Sequence, residues 1–127
     1  MRHVAATFHE SILRRGKSLE QFLGSGNSKP APTIRWIELR PSTQGVEVWT
    51  FEVPDLGGPD STDVYEFGAD DIDQPAACLG SPGEALAFAH EQLGASPELW
   101  VNAEVIGDEY LDYVAAGRPI NWRARRA

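Results

Sequence analysis

The chain has 127 residues, 42% of them hydrophobic and 24% charged, and a formal charge of −8 at neutral pH. That length and apolar fraction predict one folded domain with a core of its own and exclude wholesale disorder. The lone Cys78 excludes an internal disulfide, the lack of any apolar run of about 18 residues excludes a spanning helix, and the acidity argues against nucleic acid or an anionic membrane as a direct partner.

Residues 8–23 place Phe8, Ile12, Leu19, Phe22 and Leu23 at helical spacings. Gly16 interrupts the pattern, and Ser18 with Gln21 has the form of a capping box, so the segment reads as one bent helix or two short ones. Residues 24–32 carry Gly24, Gly26, Pro30 and Pro32 and read as a mobile linker. Residues 33–40 are rich in β-formers. Residues 46–53 alternate, with Trp49, Phe51 and Val53 on one face and Val46, Val48 and Thr50 on the other. The five residues 41–45 between them predict an antiparallel hairpin, and residues 63–67 predict a third strand beside it.

Ser81, Pro82 and Glu84 stand at the N-cap, first and third positions of a helix, each favoured there for a separate physical reason. That helix runs from Pro82 to a left-handed cap at Gly94 and turns Ala85, Leu86, Ala89 and Leu93 inward. Residues 98–106 read as a fourth strand and about 108–116 as a last short helix ahead of Gly117 and Pro119. The expected fold is α+β: a mostly antiparallel four-stranded sheet with helices packed on one face, and Trp49, Phe51, Phe67, Leu86 and Leu93 in the core. Residues 1–127 are read as a single domain, with an N-terminal helical segment and linker in 1–32, the α+β core in 33–117 and a basic, mobile tail in 118–127.

No motif specifies a reaction. Gly16-Lys17-Ser18 matches only the end of a phosphate-binding loop, since position 11 is serine and the preceding segment reads as helix. Gly24-Ser25-Gly26 lacks the third glycine of a dinucleotide site. Cys78 has no surrounding nucleophile signature, and His90, on the last turns of its helix, reads as structural. The aspartates of residues 55–63 and 70–73 match no calcium loop, and no His or Cys cluster suggests zinc. No cofactor, metal or catalytic residue is therefore assigned.

The distribution of charge is the remaining signal. Residues 41–117 carry sixteen carboxylates and no lysine or arginine, whereas the flanks carry all eleven cations and three carboxylates. The middle sums to −16 and the flanks to +8. Such a field attracts a basic partner over about 8 Å at physiological salt. The candidate recognition surface comprises Glu66, Asp70, Asp71, Asp73, Asp108, Glu109 and Asp112, with Tyr65 and Tyr110 as exposed aromatic anchors. The expectation is a small acidic binding or inhibitory protein, of the kind represented by immunity proteins, antitoxins and nucleic-acid mimics. Its partner would be basic, such as a nuclease or another nucleic-acid-binding protein. An accessory or scaffolding domain is the alternative, and a small hydrolase using acidic loops ranks below it. The N-terminus lacks the apolar stretch of a secretory signal, so a cytoplasmic location is expected.

Overall fold

The computed structural model describes residues 2–68 and 73–122. Its longest feature is the hairpin that the alternation predicts. Strands β2 (Thr33–Ser42) and β3 (Gly45–Pro54) pair antiparallel along their full length, from Thr33 opposite Pro54 to Ser42 opposite Gly45. The strands run further into the connection than expected and leave only Thr43 and Gln44 as the turn. Gly45 takes a φ of +136°, and a Cβ there would collide with the Leu79 carbonyl.

Helix α2 (Pro82–Leu93) forms as its caps dictate. The Glu84 N–H donates to Ser81 Oγ at 3.2 Å, Pro82 opens the first turn, and Gly94 closes the helix in the left-handed region at φ +77°. Helix α1 (His9–Arg14) covers only the first part of the expected N-terminal helical segment.

Residues 19–25 are not helical. They form strand β1 (Leu19–Ser25), which pairs antiparallel with β2 on one side and with β5 (Val101–Asn102) on the other. The capping box fails because Gln21 is buried and engaged elsewhere: its amide donates to the Ser96 carbonyl at 2.9 Å, and its own oxygen accepts the Ser96 N–H at 2.7 Å. The stretch read as a linker thus begins inside a strand, and its remainder is the loop between β1 and β2, tied at Gly26 N–H to the Thr33 carbonyl.

Two other strands are corrected. Residues 64–66 form a 3-10 turn that drops Val64 and Phe67 into the core at a spacing of three. The fourth strand shrinks to β5, because Glu104 adopts a φ of +75° and α3 (Ile106–Ala115) starts just beyond it. A short strand, β4 (Ala77–Leu79), joins β3 instead, giving a five-stranded antiparallel sheet in the order β4-β3-β2-β1-β5.

The helices do not share one face. Ile37 and Leu39 of β2, Val46 and Val48 of β3 and Leu19 of β1 pack against Ile12, Leu13, Ala85 and Ala89 of α1 and α2. The alternate residues, Ile34, Trp36, Val53 and Phe22, point the other way and pack against Ile106, Tyr110 and Tyr113 of α3, with Val64, Phe67 and Trp122. The reason is the alternation itself: β2 and β3 carry bulky apolar residues on both faces, and one helical layer cannot bury both. Of the expected core, Phe67 is buried, while Trp49, Phe51, Leu86 and Leu93 are only half-buried. Among the described residues, no helix is long and apolar enough to cross a membrane.

Gly24 and Gly16 test this packing. Both hold a left-handed φ, +88° and +83°, but a Cβ on Gly24 would lie 2.8 Å from Trp122 Cβ whereas Gly16 faces open space. Gly16→Ala is expected to cost about 1 kcal/mol, the left-handed penalty alone. Gly24→Ala is expected to cost roughly 2 kcal/mol or more, because Trp122 must shift as well. Urea unfolding of both variants measures the difference, and equal losses would remove Trp122 from above β1.

Candidate functional site, an open aromatic and acidic sheet face

Strand parity gathers the polar chemistry. On the face that carries α3, Trp36, Glu38 and Arg40 of β2 lie opposite Phe51, Trp49 and Glu47 of β3, and Glu20 of β1 lies opposite Glu38. Helix α3 and the 3-10 turn bury one end of this face. At the other end Glu38, Arg40, Glu47 and Trp49 are half-buried and belong to neither hydrophobic cluster. A cavity of about 310 Å³ opens there, bounded by Glu20, Glu38, Arg40, Trp36, Phe51 and Tyr65. A groove of about 450 Å³ between α1, the β2–β3 turn and the start of α2 is larger, but its lining, including Leu13, Arg14, Pro41 and Val46, brings no two titratable groups of opposite function together.

The aromatic rings form a shelf. Trp36 and Phe51 stack at 5.0 Å with 23° between planes, Phe51 and Trp49 lie near-parallel at 6.4 Å, and Tyr65 meets Trp36 edge-on. Arg40 lies over the Trp49 ring at 4.3 Å from its centroid and forks onto both oxygens of Glu38 at 3.1 and 2.7 Å. Trp49 donates its indole N–H to Glu47 at 2.9 Å, while the buried Trp36 Nε1 has no acceptor among the described residues.

Glu20 differs from its neighbours in being only 4% exposed. Its Oε1 accepts the Tyr65 hydroxyl at 2.6 Å and the Glu104 N–H at 3.0 Å. Burial pushes the Glu20 carboxyl above its ordinary range and outweighs those two bonds, with Glu38 and Glu104 adding charge in the same direction. Tyr65 is raised as well, by burial and then by the carboxylate it serves. Arg40 is held firmly cationic, first by its bonds to Glu38.

The residues singled out from sequence separate into groups. Tyr65 enters the site through its hydroxyl, and Glu66 beside it is exposed. Asp73 and Asp108 are exposed, and Asp70 and Asp71 lie outside the described residues. Glu109 is not a surface acid: it is 1% exposed and binds Arg2 at 2.6 Å and His3 at 2.9 Å, and Arg2 also binds Asp112 at 2.6 Å. Nor is Tyr110 an exposed anchor. It is wholly buried, its hydroxyl donates to Asp55 at 2.6 Å, and burial with that bond pushes its pKa up to about 12. Arg118 closes on Asp55 at 2.9 Å. Glu20, Glu38, Arg40 and Trp49 were missed as site residues, while Trp36 and Trp122, candidate exposed aromatics of an accessory domain, are both buried. The legible signal was period two, in Trp36-x-Glu38-x-Arg40 and Glu47-x-Trp49-x-Phe51 on paired strands.

No group of three or more His, Cys, Asp or Glu among the described residues is placed to hold a metal ion. Cys78 is exposed and lies opposite Glu47 at the sheet edge. No protein-family model, curated protein or solved structure matches the chain.

Because Glu20 is raised in the folded state, the native protein holds this proton more tightly than the unfolded chain does. Its contribution to stability is fully present below the unfolded value of 4.5 and is lost as pH rises through the higher folded value. Glu20→Gln keeps an acceptor for Tyr65 and Glu104 without the charge. The unfolding free energy of the variant minus that of the wild type is therefore expected to grow as pH rises from 4.5 and then to level off. A difference flat in pH would mean that Glu20 is well solvated.

Proposed function

We propose that the protein is a binding protein that docks on a basic protein partner through the open end of this sheet face. One observation carries the reading: an aromatic shelf that runs from buried Trp36 at the edge of the α3-side core through half-buried Phe51 to half-buried Trp49, which joins neither core, is set among three carboxylates, Glu20, Glu38 and Glu47. Aromatic side chains in a desolvated patch supply most of the energy in protein interfaces, and surrounding charge supplies steering and selects the sign of the partner. Three carboxylates against one arginine leave this face negative, and the remaining acidity of the chain extends the attraction beyond it. Occlusion of a basic active site or nucleic-acid-binding surface, as an immunity protein or antitoxin achieves, is the activity we assign to such docking.

A second reading has one observation in its favour. Glu20 and Glu38 face each other across adjacent strands in unlike environments, one buried and raised, the other forked by Arg40. Carboxyl pairs held apart in this way serve as acid and base in hydrolases. Turnover of chromogenic glycosides or esters that disappears in Glu38→Gln would establish it.

Docking is tested with an arginine- and lysine-rich peptide, read by tryptophan fluorescence in stopped flow. The double variant Glu38→Gln, Glu47→Gln is expected to slow association several-fold at low salt and to change little at high salt. Trp49→Ala is expected to speed dissociation roughly 30-fold, the equivalent of about 2 kcal/mol. Equal binding of an acidic peptide would refute the reading.

A further inference from the structure

We infer that the cavity beside Glu20 is a receptor for a single arginine side chain of the basic partner, with Glu20 Oε2 as its acceptor and the stacked Trp36 and Phe51 rings as its wall. The inference rests on the docking reading above and names what enters the cavity.

The face already holds one guanidinium by this chemistry. Arg40 forks onto a carboxylate, Glu38, and lies on an indole, Trp49. Glu20 stands directly opposite Glu38, and Phe51 lies two residues along β3 from Trp49, near-parallel to it. Glu20 and the Trp36–Phe51 stack therefore repeat the carboxylate and the aromatic plane of the Arg40 unit without its cation.

The carboxylate is also poised for a donor. Glu20 is 4% exposed and both of its hydrogen bonds fall on Oε1, while Oε2 takes none and the side chain bounds the cavity. Oε2 is not among the buried side-chain atoms that lack a partner, so it stays open to the cavity, and a cationic donor that reaches it replaces water with a charge-assisted hydrogen bond. The cavity, about 310 Å³, suits one long side chain better than a drug-sized ligand. Guanidinium fits better than ammonium, because it is planar, weakly hydrated, stacks on aromatic faces and can fork onto a carboxylate. Arg40 does not repel it with a full charge, since Glu38 takes up that charge.

The charged and titratable groups around Glu20 are Glu38 and Arg40 from β2, Tyr65 from the 3-10 turn and Glu104 from the connection after β5. Burial and the charges of Glu38 and Glu104 oppose ionised Glu20, and a docked guanidinium favours it, so docking lowers the titration midpoint of the carboxyl. A sugar also donates hydroxyls to a carboxylate and stacks on aromatic rings, but without a charge it lowers the midpoint less than a guanidinium does.

The test is an NMR titration of the whole protein with acetyl-arginine-amide, observing the Glu20 side-chain carboxyl and the Trp36 indole N–H, with acetyl-lysine-amide and methyl glucoside as comparison probes. The arginine probe is expected to shift both signals, to lower the titration midpoint of Glu20, and to bind about fivefold tighter than the lysine probe. Glu20→Gln is expected to weaken it by about tenfold or more. Should that variant fail to fold, the wild-type midpoint decides. An unmoved midpoint, equal affinity for the two amino acids, or a response to methyl glucoside but not to the arginine probe would overturn the inference. If the basic peptide still depends on Trp49 while the arginine probe leaves Glu20 untouched, the docking face survives and the receptor does not. If the peptide fails to bind, both fall.

Discussion

The pairing of β1 with both β2 and β5 is the constraint on which the rest of the architecture depends. Among the described residues β5 pairs with β1 and with no other named strand, so the connection of the long hairpin to the C-terminal third of the chain within the sheet runs through residues 19–25. Register then decides every side chain on the strand, because a slip of one residue would exchange the two faces. Leu19 and Gln21 go to the side of α1 and α2, and Glu20 and Phe22 to the side of α3. Phe22 becomes the hub of an edge-to-face cluster with Tyr110, Tyr113 and Trp122. Glu20 is carried into the sheet by the same register. Beyond β5, His3 bridges to Val101 and the Val4 N–H bonds the Trp100 carbonyl, which covers an edge that would otherwise be open and brings Arg2 onto α3.

The elements legible in sequence were those specified by their own neighbours. Helix α2 is fixed within four residues at its start and by one glycine at its end, and the β2–β3 hairpin by alternation across a short turn. Strand β1 was illegible for the opposite reason. Leu19, Glu20, Gln21 and Leu23 are good helix formers, and only strand pairing with residues as distant in sequence as Val101 and Asn102 overrides them. The segment at 63–67 failed through period: Val64 and Phe67 share a side at a spacing of three, which alternation cannot express. The site was half legible. Its strands β2 and β3 were read correctly, but β1 with Glu20 was not, and Trp49 and Phe51 were taken for core because both faces of β3 are apolar enough to pass for an interior, while the helix that would have covered them lies over the other end.

The linear separation of charge is weaker in three dimensions than along the chain. Arg2 and Arg118, from the two basic flanks, cross to Glu109, Asp112 and Asp55 of the acidic middle. These are the contacts that remove Glu109 and Tyr110 from any recognition surface. Two of the three carboxylates at the candidate site, Glu20 and Glu38, belong instead to the basic N-terminal flank. Net charge therefore describes the long-range field, while the site is made by strand register, and the two properties are set by different parts of the sequence.

Glu20 and Glu38 show how register and charge meet. Like charges directly opposite on neighbouring strands repel, and burial of one of them adds a desolvation cost. The fold relieves this asymmetrically. Arg40, two residues along the same strand face, neutralises Glu38 through its Nε and one terminal nitrogen, and Glu20 is left with two hydrogen bonds on a single oxygen and no bonded cation. A leucine at position 20 would avoid the repulsion and the desolvation, since buried ion-forming groups are commonly matched or bettered in stability by apolar ones. The hydroxyl of Tyr65 and the N–H of Glu104 would then lose their acceptor, so the 3-10 turn and the left-handed Glu104 are both anchored to this one carboxylate. The carboxyl that costs stability in the sheet is thus what holds the two irregular segments against the open face, and its second oxygen carries no bond to either of them.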